Sequence, residues 1–119
     1  MKTHKDLDCW KNSMKFVKSL YEFTGKFPKD ELFGLVNQLR RAAVSVPSNI
    51  AEGSARNSKR EYIQFLYIAS GSLSELETQL IISKDLEYLE VNNFNLLINN
   101  LNLIRAQIIG LIKYLKRTI

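Results

Sequence analysis

The chain has 119 residues, with 17 Lys and Arg against 12 Asp and Glu for a formal +5, and an apolar share of 45% that excludes a disordered chain and suits one packed domain over 1–119. A single Cys (Cys9) and a single His (His4) exclude an internal disulfide, a cysteine-based zinc site and any centre that needs two histidines. No apolar run approaches the roughly 18 residues of a membrane span, and the opening 1–6 leads into no signal-type core, so a cytoplasmic protein without membrane association is expected.

Four segments carry apolar residues at alternating steps of three and four, which predicts helices over roughly 7–24, 30–53, 58–87 and 92–117. In the first, Leu7, Trp10, Met14, Val17, Tyr21 and Thr24 form the expected core stripe, with Phe16, Leu20 and Phe23 beside it. The second opens at Pro28, Asp30 and Glu31, where acidic side chains complement the helix dipole. Its stripe is Leu32, Val36, Leu39, Ala43, Val46 and Ile50. Pro47 lies inside it, removing a hydrogen bond and crowding the Ala43 carbonyl, so one kinked helix is expected.

The third helix opens on a capping box, Ser58 with Glu61, and runs along Tyr62, Leu66, Ala69, Leu73, Leu76 and Leu80. The fourth is expected to be capped by Asn92, with Val91 and Leu96 as a hydrophobic staple. Phe94, Leu97, Leu101, Ile104, Ile108, Leu111 and Leu115 form its seam. A second apolar edge of Leu96, Ile98, Leu103, Ile109 and Ile112 is wide enough to leave area for a subunit interface. Short connections and the absence of period-two alternation predict an all-α, antiparallel up-down-up-down four-helix bundle.

Small residues cluster around Pro47 and again at Ala69-Ser70-Gly71-Ser72, which suits close helix-helix approach. The same region carries a family resemblance. Phe33-Gly34-Leu35 and the run from Gln38 through Arg40-Arg41-Ala42-Ala43-Val44-Ser45-Val46-Pro47-Ser48-Asn49 to Gly53 resemble the signature of the four-helix-bundle proteins encoded in 23S rRNA intervening sequences. Phe65 to Leu73, Glu75 to Leu80 and the opening Leu7-Asp8-Cys9-Trp10-Lys11 continue the likeness. The resemblance implies a left-handed bundle of bacterial origin, often a homopentamer. It also implies kinship with the basic accessory proteins of diversity-generating retroelements, which are thought to engage nucleic acid and a reverse transcriptase. It carries over no catalytic residues.

Charge is unevenly placed. Stretch 40–60 sets Arg40, Arg41, Arg56, Lys59 and Arg60 against Glu52 alone, a net +4. Stretch 105–119 adds Arg105, Lys113, Lys116 and Arg117 with no acid, while 75–90 carries a net −4. Phosphate binding by counterion release needs no sequence motif, so Arg40, Arg41, Arg56, Lys59, Arg60, Lys113, Lys116 and Arg117 are the candidate nucleic-acid contacts. No aromatic platform is evident beside them along the chain. Helical phase turns Arg41 about 180° from the core, with Gly34, Ser45, Ser48 and Glu52 within about 40° of that line. Arg41, Ser45, Ser48 and Glu52 are therefore the candidate subunit-interface face.

Catalytic constellations are missing from the pattern. Glu75 and Glu77 diverge by about 160° on a helix, and no second histidine completes a metal site with them. Cys9 has only His4 nearby as a base and is expected to be a small packed side chain. Gly53-Ser54 and Gly71-Ser72 lack the spacing of a phosphate-cradling loop. The expectation is a non-enzymatic accessory protein, without cofactor or metal, that self-associates and binds RNA or other nucleic acid. The alternative is a structural or protein-interaction module with no nucleic-acid role.

Overall fold

The computed structural model describes residues 3–119. Its four long helices are α1 (Asp8–Thr24), α2 (Asn37–Ser54), α3 (Lys59–Asp85) and α4 (Val91–Arg117), with no strand among the described residues. Each packs beside its sequence neighbours and α4 closes against α1, giving a four-helix bundle with extents of 46 × 24 × 22 Å. Leu20, Leu39, Ile50, Leu66, Leu73, Leu76, Leu80, Leu97, Leu101 and Ile108 are fully buried along the axis. The seams of α3 and α4 run where their three-and-four spacing puts them, because leucine and isoleucine on one face have only each other to bury against.

The first helix departs from its apolar pattern. Its buried residues are Cys9, Ser13, Phe16, Leu20 and Thr24, while Met14 and Tyr21 are exposed. Ser13 and Thr24 reach the core because their hydroxyls are satisfied within the helix. Ser13 Oγ donates to the Trp10 carbonyl at 2.8 Å and Thr24 Oγ1 to that of Leu20 at 2.7 Å. A small, self-satisfied hydroxyl lets α1 approach its neighbours without an unpaired buried group.

The second helix also begins later than its periodicity suggests. A 3-10 turn at Lys29–Glu31 and a π turn at Leu32–Val36 precede it. Gly34 leaves helical dihedrals there at φ −111° and ψ −109°. Leu32 is exposed and Phe33 is 90% exposed. Pro47, by contrast, is buried within an α2 that runs unbroken from Asn37 to Ser54. The irregularity sits at the glycine, which has no Cβ to restrain it.

Helix ends follow local chemistry. Ser58 caps α3, its hydroxyl accepting from the Glu61 backbone N–H at 3.1 Å. The start of α4 corrects the expectation for Asn92: Glu90 is the extended N-cap, without a side-chain cap bond, and Val91 and Leu96 are both exposed. An extended Glu90 before Val91 starts the helix two residues early, which draws Asn92 into its first turn and breaks the staple. α3 ends in a Schellman arrangement, with Tyr88 N–H on the Ser83 carbonyl and Glu87 N–H on that of Lys84, both at 2.9 Å. This puts Glu87 at φ +65°, a conformation that crowds a Cβ. Glu87→Gly is expected to raise stability by about 0.5–1 kcal/mol, read as a higher urea midpoint with unchanged slope.

Cys9 is 3% exposed, and burial pushes its thiol from an ordinary 9.0 up to about 11. Burial likewise raises the hydroxyl of neighbouring Tyr62 to about 12. The folded chain holds the thiol proton more tightly than the unfolded one. That contribution is complete below about pH 9 and is lost as pH rises through about 11. Urea melts between pH 8 and pH 11 are expected to show falling stability, with a visibly shallower fall in Cys9→Ala.

Candidate nucleic-acid interface

Up-down topology brings together two basic stretches that lie far apart in the chain. α3 starts where α4 ends, and Lys59 Nζ donates to the Thr118 carbonyl at 2.9 Å. Two residues back along α4, Lys116 Nζ donates to the Tyr67 hydroxyl at 2.8 Å and stands 5.4 Å from that ring's centroid. Arg60, Lys113 and Arg117 are exposed at the same end, without a side-chain hydrogen bond or ion pair among the described residues. The acidic members Asp85, Glu87 and Glu90 lie at the α3–α4 connection, about 40 Å away along a helix of 27 residues. The α3–α4 side of the bundle is therefore basic at one end and acidic at the other.

Three arginines from 40–60 do not join this cluster. Arg40 is half-buried: its Nε donates to Thr24 Oγ1 at 3.0 Å and an amino group to the Tyr21 carbonyl at 3.3 Å. Its guanidinium also lies 4.4 Å from the Tyr21 ring centroid, so it pins α2 to α1. Arg56 pairs with Glu52 Oε2 at 2.9 Å and covers Phe65, which neutralises it on the α2–α3 side. Arg41 is exposed beside Glu75 in a groove between α2 and α3.

That groove, about 400 Å³, is lined also by Gln38, Ser45, Ser72 and Gln79. Ser45 corrects the outward-facing expectation. It is half-buried, with its Oγ 2.9 Å from Ser72 Oγ and accepting from Asn49 Nδ2 at 2.9 Å. It joins α2 to α3, whereas Arg41, Ser48 and Glu52 remain exposed. Close approach of the two helices, through Ala42, Gly53 and the paired serines, turns Ser45 inward. Gln79, 8% exposed, keeps a buried Oε1 without a partner among the described residues.

Tyr67 is the residue that reading along the chain missed. It stands seven residues after Arg60, within about 20° of it on α3. That spacing was legible; the pairing with Lys116, which comes from a helix 49 residues onward, was not.

The described residues thus form an all-α four-helix bundle with exposed lysines and arginines at one end of its α3–α4 side. The chain belongs to the family described as 23S rRNA-intervening sequence protein, whose model matches residues 5–110. No curated protein matches it. No helix among the described residues is long and apolar enough to cross a membrane.

Proposed function

We propose that this protein is a non-enzymatic accessory module that binds RNA or other nucleic acid through the basic end of the bundle, in the manner of the retroelement accessory proteins it resembles. The observation that carries this reading is the convergence of Lys59, Arg60, Lys113, Lys116 and Arg117 from α3 and α4 onto one surface. Glu77, the next carboxylate along that side, is held by Arg105 at 3.1 Å. Phosphate contacts release counterions, so affinity falls with salt at a slope set by the number of contacts. Replacing Arg60, Lys113 and Arg117 together by alanine is expected to reduce that slope by about 2 for a single strand and 2.7 for a duplex. Filter binding of 23S rRNA fragments and duplex DNA across a salt series reads it. An unchanged slope removes this surface from the binding site.

Self-association is the second part of the reading. Between Val91 and Ile112 the only charged residue is Arg105, which is engaged with Glu77, and Leu96, Leu103 and Ile109 are exposed. A solvated helix of 27 residues ordinarily carries many more charges on its outer face. We infer that α4 contributes to a homo-oligomer, with a pentamer as the expected size, and that repetition of the basic ends multiplies weak contacts by avidity. Light scattering on concentrated protein tests it: a single species of 13.7 kDa sinks the assembly.

A further inference from the structure

We propose that Tyr67 is a base-stacking platform and that the basic end therefore selects single-stranded nucleic acid; this rests on the nucleic-acid reading above and adds the class of strand. Tyr67 is 51% exposed, yet its hydroxyl is tied across the helix boundary to Lys116 Nζ at 2.8 Å. An exposed tyrosine gains little from such a tie, but a ring used as a platform loses less freedom when a base arrives. Arg60 lies on the same side of α3, two turns towards its N-terminus and about 10 Å along the axis. On α4, Lys113 lies one turn beyond Lys116 and within about 60° of it. Cations from both helices therefore lie towards the basic end from the ring, and Glu77 on its other side is neutralised by Arg105. A strand crossing this surface meets cations and an exposed aromatic side chain together, which suits paired contacts to phosphate and base. A duplex keeps its base faces inside the stack, where a ring on a helix surface does not reach them.

Tyr114 supplies an internal comparison. It is as exposed, at 56%, but its ring makes no cation contact among the described residues and its phase on α4 is about 160° from that of Lys116. It is a solvated tyrosine.

The test measures fluorescence anisotropy with a labelled single-stranded 12-mer RNA of mixed sequence and with the matching 12-base-pair duplex, at low salt. Tyr67→Leu is expected to weaken single-strand binding about 5- to 100-fold and to leave the duplex unchanged. Tyr67→Phe keeps the ring and is expected to retain most of the affinity, and Tyr114→Leu all of it. A 2-aminopurine placed in the strand reports stacking directly, as quenching present with the native protein and absent with Tyr67→Leu. Equal losses for strand and duplex, or no loss in Tyr67→Leu, overturn the platform while leaving the basic surface standing. Failure of the native protein to bind either RNA overturns both.

Discussion

Replacement of Gly53 by valine is expected to cost about 3 kcal/mol and to lower the melting temperature by about 10 °C. A Cβ at this position would stand 2.8 Å from Phe65 Cβ, 3.1 Å from Tyr62 Cδ1 and 3.2 Å from the Tyr62 carbonyl. Phe65 Cβ and the Tyr62 carbonyl cannot swing aside as a side-chain tip does, so α2 and α3 must separate. Their separation would also break the Ser45–Ser72 contact at 2.9 Å and open the groove beside Arg41. Gly71 provides the opposite case on the same helix pair. A Cβ there meets nothing within 4 Å, so Gly71→Ala is expected to gain about 0.5–1 kcal/mol from helix propensity alone. Thermal melts of the two variants distinguish a packing glycine from a tolerated one. Equal and small effects would show that α2 and α3 are not held this tightly.

The second large effect is expected at the centre of the core. Leu73 is fully buried midway along α3, among leucines and isoleucines of the other helices. Leu73→Ala removes its transfer energy and leaves a void that rigid helices fill poorly, for an expected loss of about 3–4 kcal/mol. Urea unfolding is the measurement, since the slope checks that the unfolded state has not changed. Phe33→Ser is the informative counterpart. With 90% of its surface exposed, Phe33 contributes almost nothing to the isolated chain, and a change within about 0.5 kcal/mol is expected. A larger loss that grows with protein concentration would mean that a second copy covers this ring.

Much of the architecture was legible residue by residue. The steps of Leu66, Ala69, Leu73, Leu76 and Leu80, and of Leu97, Leu101, Ile104 and Ile108, specify a buried face because each helix reports its own phase. Ser58 announced the start of α3 because a capping hydroxyl acts within three residues of itself. The errors occurred where a local signal had two readings. In α1 two apolar stripes competed, and the one containing Phe16 and Leu20 was buried together with Ser13, whose hydroxyl does not register as apolar, and with Thr24 of the expected stripe. At Asn92 a good capping residue lost to Glu90, whose extended backbone begins α4 two residues earlier.

The candidate interface divided in the same way. The amino-acid order alone determined that Lys59 and Arg60 open one helix and that Lys113, Lys116 and Arg117 close another, because both facts are matters of local spacing. The expected up-down-up-down order already set these ends side by side; only the tertiary structure decided that Tyr67 meets Lys116 there and that Arg40 and Arg56 are engaged within the chain. Periodicity records how a residue is placed on its own helix. Which side chains meet across neighbouring helices depends on the joint packing of all four, and that packing separated the engaged arginines from the cations left exposed.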